Sequence, residues 1–179
     1  MKDGKLKIIL SGGGTGGHIY PAVATAEALR RLLGDEGVEL LFVGAQGKME
    51  MEKLPALGYR VVGLPVAGLQ RKFDLHNFAL PFKVLRSLRE ARRTIRSFGA
   101  DVVAGFGGYA SAPVLWAAQR MGIPTLIQEQ NSYAGVTNKI LARRARRICV
   151  AYDGMERFFP ADRIVLPGNP LRGNFLQAA

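Results

Sequence analysis

Lys7-Ile8-Ile9-Leu10-Ser11-Gly12-Gly13-Gly14-Thr15-Gly16-Gly17-His18 is the stretch that decides the fold. Its β-branched opening, Lys7 to Leu10, has the character of a buried strand. The glycine-rich turn Gly12 to His18 follows. A helix is then predicted from about Pro21 to Leu33, with Pro21 suited to a first-turn position. Strand, glycine turn and helix in that order place the turn at the carboxyl edge of an open α/β sheet, where ligands bind. Glycines let a ligand approach the backbone closely, and the free N–H groups at the start of the helix favour an anion.

The same alternation continues outward. Strands are expected at Glu39–Val43, Arg60–Leu64, Asp101–Ala104, Pro124–Gln128, Arg147–Ala151 and Arg163–Leu166. Helices are expected at about Lys48–Leu57, from a loop ending near His76 to Phe98, and at about Ala112–Met121 and Gly135–Arg144, with a short one at Met155–Phe159. Several strands are continuous apolar runs, which suits a sheet covered on both faces. The fold class is therefore α/β, a doubly wound parallel sheet of Rossmann-like type. The domain is expected over 1–167, with Gly168 to Asn174 and the remainder to 179 reading as the start of a linker.

At 179 residues, 48% hydrophobic and 22% charged, the chain is long enough to bury a core without disulfides or metal staples. Disorder, collagen and coiled coil are excluded by composition. No apolar run approaches the roughly 20 residues of a membrane span, and Ile8-Ile9-Leu10 is too short for a signal-peptide core. Cys149 is the only cysteine, so a reducing cytosol is the simplest compartment. The net charge of +11 is unevenly placed. Residues 71–147 hold 14 basic and 4 acidic side chains, against 8 and 7 in residues 1–70. A field concentrated in this way favours an anionic partner such as nucleic acid, an anionic lipid surface or a phosphorylated substrate.

Two further groups sit at predicted strand ends. Gly105-Phe106-Gly107-Gly108-Tyr109 is a second glycine turn, and two such turns on one sheet edge can form a shared diphosphate cradle. Gln128-Glu129-Gln130-Asn131 ends a buried strand with four polar residues that need partners. Glu129 is a candidate base, an acceptor for sugar hydroxyls, or a structural carboxylate capping a neighbouring turn. His18, at the mouth of the first turn, is a candidate base or orienting donor. His76 reads as a surface residue. There is no Walker A lysine. The dinucleotide fingerprint fits loosely through Gly12, Gly14 and Gly17, and no acidic residue stands well placed at Phe42–Ala45, which weighs against a nicotinamide enzyme. No His, Cys or Asp cluster has metal-ligand spacing, so no protein-bound metal is expected.

Gly13-Gly14-Thr15-Gly16-Gly17-His18-Ile19-Tyr20-Pro21-Ala22, Gly107-Gly108-Tyr109, Glu129-Gln130-Asn131 and Gly168-Asn169-Pro170-Leu171-Arg172 occur in series. Together they closely resemble the N-terminal half of the MurG family of peptidoglycan glycosyltransferases, which are of the GT-B class. The resemblance spans essentially the whole chain. It implies inverting transfer of N-acetylglucosamine from UDP-N-acetylglucosamine to the muramoyl 4-hydroxyl of lipid I, giving lipid II. It also implies a second Rossmann-like domain holding most of the uridine nucleotide. On that reading this chain is a truncated acceptor domain or one chain of a split enzyme, and nearly inactive alone. Residue by residue, the resemblance puts Thr15, Gly16, Gly17, Asn131 and Arg172 near the donor sugar and diphosphate; Gly107 and Gly108 are substrate-binding candidates from the pairing of the two glycine turns. His18, Tyr109 and Glu129 fall at the acceptor side, without settling which is the base. Gln128 stands where a histidine is expected, and Leu171 where valine is commoner. A divalent ion carried by the substrate diphosphate is compatible with these residues, and no cofactor is implied.

The lipid-linked acceptor gives the basic middle a use. Phe73, Leu75, Phe78 and Phe82 lie beside Lys83 and Arg86, and Lys139 and Arg143 follow on another helix. An apolar patch rimmed by cations suits an anionic leaflet, which implies peripheral attachment at the cytoplasmic face of the bacterial inner membrane. The same aromatics are alternatively core residues at the helix start. A nucleic-acid-binding module is the rival class. It requires aromatic stacking faces interleaved with the basic cluster, and few aromatics lie within Arg143–Arg147. No nucleic-acid partner is therefore expected.

Overall fold

The computed structural model describes residues 4–66 and 80–171. Within them the strands are β1 (Leu6–Ser11), β2 (Val38–Ala45), β3 (Val61–Leu64), β4 (Val102–Gly105), β5 (Thr125–Glu129), β6 (Arg147–Val150) and β7 (Ile164–Val165). The helices are α1 (Gly16–Leu33), α2 (Glu50–Ala56), α3 (Leu80–Phe98), α4 (Ser111–Arg120) and α5 (Val136–Ala142), with 3-10 turns at Met155–Arg157 and Ala161–Arg163. All strand pairs are parallel, in the order β3-β2-β1-β4-β5-β6-β7. This is the expected doubly wound sheet.

Side-chain alternation along β1 sorts the core into two layers. Ile8 and Leu10 face α1 and α2, packing with Ile19, Val23 and Leu54. Ile9 points the other way, into a core formed with Ile95 of α3, Leu115 of α4 and Leu141 of α5. Because the strands are covered on both faces, period-2 polarity is missing and the runs read as continuous apolar stretches. Order reverses between β1 and β4, the two neighbours that share Ile8↔Val102 and Leu10↔Ala104. The glycine turns that follow these two strands therefore flank the topological switch point.

One boundary differs from expectation by more than a helical turn, the others by a residue or a few. Helix α1 starts at Gly16, with Thr15 as its extended N-cap, and Pro21 lies inside it at the sixth position. A proline there removes one backbone donor and crowds the carbonyl four residues back. That carbonyl belongs to Gly17, an exposed residue, so water can serve it and the helix runs on. Thr25 Oγ1 donates to the Pro21 carbonyl at 2.9 Å, tying the following turn.

The two layers differ in charge. Helices α3, α4 and α5 carry Lys83, Arg86, Arg89, Arg92, Arg93, Arg96, Arg120 and Lys139 against Glu90 alone. Helices α1 and α2 carry three basic and three acidic residues. The basic middle of the sequence is thus one outer layer of the molecule.

Ile9 is fully buried. Ile9→Ala should lower the free energy of unfolding by about 2–5 kcal/mol. Leu32, exposed on α1, should change it by less than about 0.5 kcal/mol when replaced by alanine. Equilibrium urea denaturation of the two variants checks both.

Candidate functional site

The first turn is shaped by Gly14, whose φ of 87° is in the left-handed region, and by Thr15. The Thr15 hydroxyl makes no backbone cap. It pairs instead with His18 Nδ1 at 3.0 Å, and the His18 amide donates to the Thr15 carbonyl at 3.1 Å. Gly16 and Gly17 open the helix and supply its leading N–H groups, which have no partner within the helix.

The second turn closes against the first. Gly107 and Gly108 both have positive φ, 91° and 76°. A Cβ on Gly107 would stand 3.1 Å from His18 Nε2, and one on Gly108 would strike the Gly13 carbonyl. Only glycine allows this approach, and the His18 imidazole lies between the two turns. Phe106 N–H donates to the Ser11 carbonyl at 2.8 Å. Ser111 Oγ donates to the Gly108 carbonyl at 3.0 Å. Tyr109 lays its ring edge over Gly14.

Glu129, 2% exposed, ends β5. Its Oε1 accepts from Asn131 N–H at 3.1 Å and Asn131 Nδ2 at 3.0 Å. Its Oε2 accepts from Gly135 N–H at 3.0 Å and Asn138 Nδ2 at 2.9 Å. Four N–H groups occupy the carboxylate. Of the three readings open for this residue, the geometry is that of the turn-capping carboxylate. It holds the 130–135 loop to α5 and brings Asn131 to the edge of the site. Asn138 is buried and its Oδ1 has no hydrogen-bond partner. It stands near Gly107, behind the two turns. Gln128, in the place expected for histidine, is buried and its Nε2 lies 3.4 Å from the Gly168 carbonyl. It faces the start of the tail rather than the cleft.

Two residues escaped the sequence reading. Asn138 is one. Glu50 is the other: the first residue of α2, fully buried, with Oε1 accepting the Ala45 amide at 2.9 Å and Oε2 the Gly14 amide at 3.3 Å. An acidic residue thus does reach the end of β2, from five residues beyond it. The only sequence signal was its position after Gly44-Ala45-Gln46-Gly47, at a predicted helix start. Burial pushes the Cys149 thiol up, which leaves it protonated and a poor nucleophile at neutral pH.

Beside the turns runs an apolar groove of about 500 Å³, lined by Val66, Val84, Leu88, Tyr109, Trp116 and Ile140 among others. Phe82, which precedes the groove-lining Lys83 and Val84 in α3, is 76% exposed, and Lys83 is also exposed, so Phe82 is not the core residue that was the alternative. Arg86 is exposed but pairs with Glu90 at 2.9 Å. Arg143 is exposed. Lys139 does not reach out freely: its Nζ sits 4.4 Å from the Tyr133 ring centre and 4.9 Å from that of Phe158. Phe73, Leu75, Phe78, His76 and Arg172 lie outside the described residues. Among the described residues no helix is long and apolar enough to cross a membrane.

Residues 8–150 match the glycosyltransferase family 28 N-terminal domain. The chain belongs to the glycosyltransferase family 28 N-terminal domain family. A Bacteroides fragilis relative is 59% identical over 171 residues, covering 96% of this chain and 44% of its own length. A Parabacteroides distasonis relative is 56% identical, covering 97% and 47%. Both are named UDP-N-acetylglucosamine–N-acetylmuramyl-(pentapeptide) pyrophosphoryl-undecaprenol N-acetylglucosamine transferase. This family 28 chain spans somewhat under half the length of the curated relatives it matches. The crystal structure of Acinetobacter baumannii MurG aligns with a TM-score of 0.79 at 33% identity, over 92% of this chain and 46% of that one. The UDP-N-acetylglucosamine 2-epimerase of Neisseria meningitidis aligns at 0.63 with 12% identity, which shows a shared fold alone.

Glu129→Gln turns one acceptor oxygen into a donor that faces two N–H groups. We expect about 2–4 kcal/mol less stability. Hydrogen exchange should also be faster at the Asn131 and Gly135 amides. Wild-type protection at both amides would contradict the loop-holding role.

Proposed function

We propose that this chain is the acceptor-binding half of an inverting glycosyltransferase. The reaction moves N-acetylglucosamine from UDP-N-acetylglucosamine to the muramoyl 4-hydroxyl of lipid I, giving lipid II and UDP. The observation that carries the reading is the contact of two glycine turns at the switch point with His18 between them, in a chain nearly 60% identical to relatives bearing that name. A second domain, following a linker that starts near Gly168, holds most of the nucleotide; this half without it turns over poorly.

In this mechanism His18 is the base. It carries its ring proton on Nδ1, donated to Thr15 Oγ1, and presents the lone pair of Nε2. Nε2 removes the proton of the acceptor hydroxyl. The freed oxygen attacks the anomeric carbon from the face opposite the nucleotide, and the bond from that carbon to the diphosphate oxygen breaks with its electron pair leaving on UDP. The N–H groups of Gly16 and Gly17 and the positive end of α1 meet the diphosphate charge. Thr15 sets the tautomer, and Asn131, held by Glu129, orders the sugar. Arg172 completes the donor side. Tyr109 forms the wall between the turns and the apolar groove, so the UDP diphosphate and the first isoprene units of the acceptor lie on either side of its ring.

The membrane contact is made by the α3–α5 layer. Phe82 and the apolar groove face the leaflet, and Phe73, Leu75 and Phe78 are assigned to the same contact. Lys83, Arg86 and Arg143 meet anionic headgroups at the cytoplasmic face. Lys139 acts there through the aromatic pair it rests on. Each basic group near such a surface contributes on the order of 1 kcal/mol.

In the full-length enzyme containing this chain, His18→Ala should lower kcat about 10²–10⁴-fold with an unchanged melting temperature. Near-normal turnover would remove it as the base. Co-sedimentation should show the chain on vesicles containing phosphatidylglycerol and not on phosphatidylcholine, with release as salt rises. Equal binding to both vesicles would contradict the membrane contact.

A further inference from the structure

Among the described residues, Glu50 is the one fully buried carboxylate for which the mechanism above has no use. No lysine or arginine among the described residues pairs with it; its partners are two backbone amides, Ala45 at the end of β2 and Gly14 in the first glycine turn. Its side chain occupies the space that Cβ atoms on Gly13 and Gly44 would need: a Cβ on Gly44 would lie 2.5 Å from Glu50 Cγ, and one on Gly13 would collide with Oε1. Two glycines on two different elements are thus hollowed around one carboxylate. Burying a charge this way is costly unless it is hydrogen-bonded, so the arrangement needs a reason beyond packing.

The reason lies in which amides the turn offers. Gly14 and Gly16 are neighbours across Thr15, and a flexible glycine run can present any of its N–H groups to an anion. Glu50 draws the Gly14 amide into the protein. With Gly14 held at φ 87°, the turn is bent so that Thr15 begins the helix and the next amides, Gly16 and Gly17, are the ones left over. It also places the Thr15 hydroxyl where it meets His18 Nδ1. We propose that Glu50 is a positioning residue. Its buried carboxylate fixes the Gly13–Gly14 segment so that the Gly16 and Gly17 amides, and the Thr15–His18 pair, face a bound diphosphate. The proposal rests on the diphosphate reading of the turn given above.

Amide NMR of the ¹⁵N-labelled chain tests the two separately. In the wild type, the Gly14 amide should exchange at least about tenfold more slowly than those of Gly16 and Gly17, as one hydrogen bond of ordinary strength provides. Inorganic pyrophosphate should shift the Gly16 and Gly17 resonances. Glu50→Gln, which keeps the shape but loses one acceptor, should speed Gly14 exchange and weaken pyrophosphate binding at least about fivefold. The amides of Ile9 and Val103 in the sheet should stay protected. Equal protection of Gly14, Gly16 and Gly17 in the wild type overturns the proposal, and needs no variant to fold. So does unchanged pyrophosphate affinity in a folded Glu50→Gln. If pyrophosphate shifts neither Gly16 nor Gly17 in the wild type, the diphosphate reading fails. The positioning of the turn by Glu50 is then decided by Gly14 exchange alone: acceleration in Glu50→Gln supports it and wild-type exchange overturns it.

Discussion

Everything at the sheet edge depends on the approach of one glycine turn to another. Gly108 reaches the Gly13 carbonyl at a distance no side chain would permit, and Gly107 leaves just enough room for the His18 ring. The turns are far apart in sequence; 86 residues lie between His18 and Gly105. The parallel pairing of β1 with β4 brings them together, and the Phe106 amide bonded to the Ser11 carbonyl sets their height. Any side chain at Gly107 or Gly108 would part the turns and displace the imidazole between them.

Around this contact stands a set of polar clamps that never reach the cleft. Glu129 gathers four N–H groups beneath the loop that carries Asn131, and Glu50 takes one amide from each of two elements. Both are buried anions satisfied mainly by backbone and amide donors rather than by cations. Such carboxylates hold loops in one geometry, and a loop held in one geometry presents its remaining donors without reorganisation. The outer layer is divided differently. Helices α3 to α5 gather the cationic excess and a greasy groove on one side of the sheet, while α1 and α2 stay balanced.

The parallel sheet and its carboxyl-edge turns were legible because buried parallel strands leave continuous apolar runs and glycine turns mark their carboxyl ends; the strand order, and with it the switch point between β1 and β4, appears only in the folded chain. Both glycine turns and the polar cluster after β5 could be read in the same way, since strand-end polar residues need partners wherever they fall. The start of α1 was misplaced because a proline usually opens a helix, and here the carbonyl that Pro21 leaves without a donor belongs to the exposed Gly17. Glu50 and Asn138 stayed hidden for a physical reason. Each lies on a helix, several residues from the loop it serves, and its meaning comes from a contact that only the folded chain makes. Glu129 was visible as a partner-seeking carboxylate, but the number of its donors was not, and that number separates a loop clamp from a base.

The most direct test is a crystal structure of the full-length enzyme containing this chain with UDP-N-acetylglucosamine and a lipid I analogue. UDP diphosphate oxygens should lie against the Gly16 and Gly17 amides, the muramoyl 4-hydroxyl within hydrogen-bond reach of His18 Nε2, and the lipid end past Tyr109. A UDP diphosphate bound away from both glycine turns would contradict this.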